Sequence, residues 1–262
     1  MSQVFTVAGM HRSGTSLVAN WFYDSQFFIG FDLLEAASSN KKGHFEDLDF
    51  LELHQKDLRE KGYHQSGLII KEDQEWRFNA ENFVEASSLI NKRSSFNLWG
   101  WKEPRSTLYL KQWKQLIPNL KVIGIYRHPE LVVKSLYKRL KRNKWYYTRN
   151  PMTRLKWFID IDNNPKKWHK IFSNTYTIYN NKMISFHKEY PNDSILINVN
   201  DLLNDESRIV SQIEMLLGEK LNFVPFSTVY KKELMKAISD NLNLSGIESS
   251  LNAYRLMEDL KG

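Results

Sequence analysis

The sequence predicts an α/β fold with a largely parallel sheet. Three observations lead there. Short apolar runs suited to strands alternate with longer helical patterns. The first such run passes through a glycine-containing turn directly into a helix. No internal repeat and no Pro/Gly/Ser-rich linker interrupts the 262 residues, so the chain reads as one domain over residues 1–262. Alternation of this kind marks βαβ units, and 42% hydrophobic with 13% aromatic residues is enough for a substantial core.

Taken in order, Val4–Ala8 is the first strand, followed by a helical pattern over Thr15–Asp24. A second helical pattern covers Phe45–Glu60, and Leu98–Trp101 reads as the next strand. Lys121–Tyr126 is a buried strand, and Pro129 opens a helix running to Lys144. Proline suits that position because a first-turn N–H has no intrahelical partner to lose. A helix over Lys166–Tyr190, a strand over Ser194–Val199 and a helix over Glu206–Leu217 complete the pattern.

Composition narrows the chemistry. The absence of cysteine excludes a disulfide scaffold, a Cys-ligated zinc site and a thiol nucleophile. The histidines show no metal-ligand spacing. Apolar runs fall far short of the roughly 20 residues that span a bilayer, and the N-terminus runs straight into a strand, so a cytoplasmic protein without a signal peptide is the expectation. The net charge is +7, but it is unevenly distributed. Residues 134–170 hold 12 basic and 2 acidic residues, residues 1–133 hold 16 of each sign, and residues 171–262 hold 9 basic and 12 acidic. Seven aromatics lie in the basic segment: Tyr137, Trp145, Tyr146, Tyr147, Trp157, Phe158 and Trp168. It reads as a ligand-binding flap or as a solvated amphipathic helix pair. Nucleic-acid binding is not expected, because no recognised module is present.

The turn after the first strand is Gly9-Met-His-Arg-Ser-Gly-Thr-Ser16. Small residues there let backbone N–H groups converge on an anion, and the following helix N-terminus adds its dipole. Arg12, Thr15 and Ser16 are placed to contact anionic oxygens. Nucleotide triphosphatases carry Lys directly after the second glycine; here that position is Thr15 and the cation comes earlier, at Arg12. The strand Lys121–Tyr126 ends in Arg127, where a triphosphatase would place an acidic magnesium ligand. Ser135, eight residues on, is placed to join Arg127 on one phosphate.

Together these segments resemble the sulfotransferases that use 3′-phosphoadenosine 5′-phosphosulfate (PAPS). In that family a Lys/Arg-Ser-Gly-Thr-Thr/Ser loop binds the 5′-phosphosulfate, matched here by Arg12–Ser16, and an Arg with a Ser eight positions later binds the 3′-phosphate, matched by Arg127 and Ser135. Asn40-Lys-Lys-Gly-His-Phe-Glu-Asp47 and Trp99-Gly-Trp-Lys-Glu-Pro-Arg105 look like the bacterial branch related to carbohydrate and tyrosine sulfotransferases. The likeness covers residues 3–140 and thins beyond, where a Tyr-Glu-Asp pattern is replaced by Val199-Asn-Asp201. It implies a P-loop nucleotide-kinase-like, three-layer α/β fold with a central mostly parallel sheet flanked by helices. It also implies PAPS as donor, PAP (3′,5′-adenosine bisphosphate) as product, no metal, and a small-molecule or glycan acceptor, acidic or aromatic in character.

On this reading His11, Arg12, Ser13, Gly14, Thr15, Ser16, Arg127 and Ser135 hold the donor. Arg12 and Lys102 stabilise charge on the transferred group, and Glu46 takes the acceptor's proton, with Glu35, Asp47 and His44 as rivals. Glu46 is expected at the start of a helix, and Arg105 either contacts substrate or forms a structural ion pair. Two other readings stand beside it. One is a magnesium-dependent P-loop kinase with Asp201 as acidic ligand; the other is a non-catalytic binding protein that keeps the fold.

Overall fold

The computed structural model describes residues 2–34, 43–71, 73–142, 151–230 and 247–261. Four strands, β1 (Gln3–Ala8), β2 (Leu98–Lys102), β3 (Leu120–Tyr126) and β4 (Ser194–Asn198), form one sheet in the order β2-β1-β3-β4. Every neighbouring pair is parallel. All four expected strands are present, within one residue at each end.

The helices are α1 (Thr15–Asp24), α2 (Leu48–Glu60), α3 (Ala80–Arg93), α4 (Leu110–Leu116), α5 (Pro129–Arg142), α6 (Pro151–Asn163), α7 (Pro165–Glu189), α8 (Asp201–Asn204), α9 (Glu206–Leu217), α10 (Phe226–Val229) and α11 (Glu248–Leu260). A 3-10 turn, Pro104–Tyr109, links β2 to α4. The first-helix and α9 bounds agree with the sequence reading, whereas α2 starts at Leu48 rather than Phe45. Asp47 sets that start, since its side chain accepts from the Asp49 backbone N–H at 3.0 Å and so caps the helix. The helices α3, α4, α8, α10 and α11 were not expected from the sequence, and α6 lies in the basic segment for which a helix pair was one reading.

Strand side chains alternate between the two faces of the sheet, as the two-residue period requires. Phe5, Val7, Ile123, Ile125 and Ile197 pack with α1, α9 and α10 on one face. Val4, Ala8, Trp99, Trp101, Val122 and Tyr126 pack with α2, α4, α5, α7 and α11 on the other. Helices therefore cover both faces, giving the three layers expected. Parallel strands send all their C-terminal loops to one edge. Because β1 lies between β2 and β3, the chain's path reverses there, which opens a crevice at the strand ends. The loop Gly9–Gly14, Glu103–Thr107 and Arg127–His128 all leave the sheet at that edge.

Within the basic segment, Trp168 is buried and Trp157 is partly buried against the core. Trp145, Tyr146 and Tyr147, together with Glu35 and the Asn40–Lys42 part of the third motif, lie outside the described residues. Among the described residues no helix is long and apolar enough to cross a membrane.

Candidate active site

The first loop is shaped by two glycines. At Gly9 (φ 142°) an added Cβ would run into the Ile125 carbonyl of the adjoining strand. At Gly14 (φ 103°), the residue before α1, it would lie 2.5 Å from Val199 Cγ2. Both positions need glycine for backbone conformation and for space. Arg12 adopts φ 72° without being glycine, a conformation retained where surrounding structure imposes it. The loop is tied to the β2 side by the Gly9 N–H, which donates to Thr107 Oγ1 at 2.8 Å.

Adjacency of β1 and β3 brings the two anion loops together. Arg12 Nε donates to Ser135 Oγ at 2.8 Å, across 123 residues of sequence. Ser135 is thus engaged by the first loop's arginine, in a pairing the sequence did not suggest. The Arg127 carbonyl accepts from Tyr176 Oη at 2.8 Å, while its Nε is buried and has no hydrogen-bond partner among the described residues. The same holds for His11 Nε2, Ser13 Oγ and Arg139 Nε. Buried polar atoms without partners are rare and call for an explanation. His11 and Ser13 lie in the glycine loop at the N-terminus of a ten-residue helix, the field of Arg139 reaches His11, and Arg127 follows the strand beside β1, a setting suited to an anion.

Arg139 was not singled out from the sequence. It lies one helical turn beyond Ser135, on the same face of α5. Its field, with those of Arg105 and Lys102, adds to burial in holding His11 far below the ordinary histidine range. His44 is also lowered by burial, against the opposing pull of Glu46. Both imidazoles therefore favour the neutral form more than a solvent-exposed histidine does.

Beside the loop sits a buried charge cluster. Lys102 Nζ, at the end of β2 and 1% exposed, donates to Glu46 Oε1 (2.8 Å), the His44 carbonyl (3.1 Å) and Ser16 Oγ (3.2 Å). It is not a surface lysine. Burial depresses its pKa, and Glu46 works against that shift. Glu46 precedes α2 rather than lying in its first turn. It is fixed by its carbonyl, which accepts from the Leu34 N–H at 2.8 Å. Its Oε2 is 3.9 Å from Arg105 Nη1.

Arg105 is in a structural ion pair with Glu103 and also donates from Nε to the Gln65 carbonyl at 2.8 Å. Burial works against charge on Glu103, but Arg105 and His54 outweigh it and hold the carboxylate at about 2. The sequence reading passed over Glu103, for which its place between Lys102 and Arg105 was the available signal. Asp47, a rival base, is 1% exposed and engaged with Arg93 at 2.7 Å. Asp201 pairs with Lys261 (3.0 Å) and Arg208 (3.6 Å).

The strand ends of the parallel sheet thus gather a glycine loop, several arginines and a buried lysine paired with a carboxylate. A family model described as the sulfotransferase family matches residues 4–219, and the chain belongs to that family. The match runs well past the stretch in which the motifs resemble it, through β4 and α9.

Solved structures agree on the fold. A sulfotransferase from Alicyclobacillus acidocaldarius superposes with a TM-score of 0.56 at 13% identity, covering 99% of this chain and 95% of that one. The sulfotransferase domain of a Synechococcus olefin synthase gives 0.54 at 12%, covering 98% and 93%. Sulfotransferase STF9 from Mycobacterium avium gives 0.55 at 11%, covering 87% and 66%. A search of curated proteins finds no match. The architecture is the P-loop kinase-like fold that these sulfotransferases share.

Proposed function

We propose that this chain, acting as a single catalytic domain, transfers a sulfuryl group from PAPS to a hydroxyl or amine of a small-molecule or glycan acceptor. The observation that carries the reading is the joining of the two anion loops through Arg12 and Ser135, with buried donors lacking partners on Ser13 of the first loop, Arg127 of the second and Arg139 of the Ser135 helix. Two separate phosphate-type groups on one ligand account for two such loops; a nucleotide monophosphate needs only one.

Arg12, Ser13, Thr15, Ser16 and the loop N–H groups hold the 5′ side of the donor, with His11 beside them as a neutral ring. Arg127 and Ser135 hold the 3′-phosphate. When bound, PAPS supplies an activated sulfuryl group. The protein's part is positioning and charge placement, the usual source of rate in such transfers. Lys102 and Arg12 bring positive charge to the oxygens that gain negative charge. Glu46, whose Oε1 is held by Lys102, takes the acceptor proton on Oε2. Near-complete burial of both side chains (1% and 6% exposed) excludes water and strengthens these interactions.

Calorimetric titration with PAP and with adenosine monophosphate tests the donor. PAP should bind more tightly than the monophosphate. Arg127→Ala should weaken PAP by about 10- to 100-fold, as loss of a charged hydrogen bond does, and leave the monophosphate little changed. Equal affinity of wild-type protein for the two ligands would sink the reading. Transfer of labelled sulfate to an acceptor panel then tests the base. Glu46→Gln should keep PAP affinity and lose about 100-fold or more in rate; an unchanged rate would favour a different base.

A further inference from the structure

Residues 61–71 form neither helix nor strand, yet five of their eleven carbonyls accept from side chains elsewhere in the fold. Arg105 Nε donates to the Gln65 carbonyl (2.8 Å), Tyr179 Oη to Gly67 (3.0 Å) and Thr175 Oγ1 to Leu68 (3.2 Å). Asn174 Nδ2 donates to both Ile70 (3.2 Å) and Lys71 (3.1 Å), and the Ile70 N–H returns to Thr175 Oγ1 (3.3 Å). An irregular segment held at these points by Arg105 and three side chains of α7 is a preorganised wall rather than a passive connection.

That wall borders a half-open cavity of about 230 Å³ that it shares with Trp157 of α6, lined by Gly62, Tyr63, His64, Ile69 and Lys71. Two of its rings are braced by further aromatics: Trp157 lies 5.2 Å from Trp168 and Tyr63 lies 5.3 Å from Trp76, ring centre to ring centre. The Ser66 N–H donates to His64 Nδ1 (3.1 Å), which places the neutral ring's proton on Nε2. Burial and the field of Arg105 keep that ring uncharged. Lys71 is exposed and brings a cation to the rim. At Gly62 an added Cβ would meet nothing within 4 Å, so this part of the rim is open.

The volume is below the roughly 300–1,000 Å³ of a complete small-molecule site, so it suits one ring and not a whole ligand. Tyr and Trp walls favour a flat or puckered ring face, and Lys71 favours an acid on it. The cavity is also tied to the charge cluster. Arg105, which holds the Gln65 carbonyl of the wall, has its guanidinium 3.9 Å from Glu46 Oε2.

We propose that this cavity is an acceptor subsite for a six-membered ring bearing an anionic group, contributed by an acidic sugar or an acidic phenol. The assignment rests on the sulfotransferase reading given above. The ring occupies the cavity between Trp157 and Tyr63, and the acid faces Lys71. The acceptor is then longer than one ring, because its reacting hydroxyl or amine must reach Glu46 beyond Arg105.

The test is calorimetric titration of the full chain saturated with PAP. The probes are methyl glucuronide and 4-hydroxyphenylacetate, each against its uncharged counterpart, methyl glucoside and 4-hydroxyphenylethanol. The expected result is that one acid binds about threefold or more tightly than its counterpart, the size of a partly exposed charge pair. Which acid does so separates sugar from phenol. Lys71→Glu should erase that preference, and Trp157→Leu should weaken binding of both members of the pair by about fivefold or more. PAP affinity and melting temperature should stay at wild-type values in Lys71→Glu, which carries the test if Trp157→Leu folds poorly. Wild-type PAP binding with no binding of either acid overturns the subsite alone, as does Lys71→Glu binding the acid as wild type does. Absence of PAP binding is the separate failure of the donor reading, and the same titrations without PAP then judge the cavity by itself.

Discussion

Lys102 couples the anion loop to the carboxylate, since its ammonium touches both Ser16 and Glu46. Replacing it by methionine keeps the volume but strands Glu46 without its cation, and sulfate transfer should fall by about 100-fold or more, as for loss of one preorganised charge donor. Burial lowers its pKa from the ordinary 10.5. The protonated form is therefore lost earlier on the alkaline side than for a solvent-exposed lysine. The rate should decline along an alkaline limb centred below pH 10.5 in wild-type protein, and that limb should disappear in Lys102→Met. At this scale spaced motifs singled out Arg12, Lys102, Arg127 and Ser135, of which the structure joins Arg12 to Ser135 and Lys102 to Ser16 and Glu46. The sequence was unreadable for Arg139, because an arginine one turn after Ser135 looks like any solvated helix position until the loop it faces is in place.

The element that most constrains the site is the turn from β1 into α1. Gly14→Ala would force a Cβ against Val199 at a positive φ. It should destabilise the protein by about 1–3 kcal/mol, seen as a lower urea midpoint, and should weaken PAP binding. Retained stability and affinity would mean that the turn relaxes freely. Elements were legible in proportion to their apolar signal. The strands carry continuous runs and were found to within a residue. By contrast, α3 buries Asn82, Ala86, Leu89 and Arg93, and α11 buries Ser250, Ala253 and Met257. Their inward stripes have helical spacing but are largely small or polar, so hydrophobic periodicity says little about them. Such stripes work because specific partners exist elsewhere: Arg93 meets Asp47 and Asp49, and Ser250 meets Ser173. Those partners are tertiary facts that no local window contains.

Across the molecule, electrostatic cross-links join segments distant in sequence. Asp193, just before β4, accepts from Lys114 of α4 and Lys121 of β3, both at 2.7 Å. Burial pushes its pKa up, but the two lysines outweigh this and hold it below the ordinary 3.8. A carboxylate depressed in the folded state stabilises the fold above its unfolded pKa, and that contribution is lost as pH falls through the folded value. Asp193→Asn should therefore cost roughly 1 kcal/mol near pH 7. The gap between wild type and variant in urea unfolding should close below pH 3.8; a gap that persists there would point to packing instead.

The span of the Arg12–Ser135 bond has a kinetic meaning. Its partners are 123 residues apart, and the parallel sheet supplies no local hairpin from which to begin. Closing loops of that length before their contacts form is slow. A chain emerging from the ribosome has its glycine turn early, and on the proposed function it would grip a two-phosphate ligand only after β3 and the first turns of α5 have followed it. Ligand affinity would then arrive in a single step. During refolding, the return of PAP binding should trail the recovery of helical signal, and a fragment ending before Ser135 should have none.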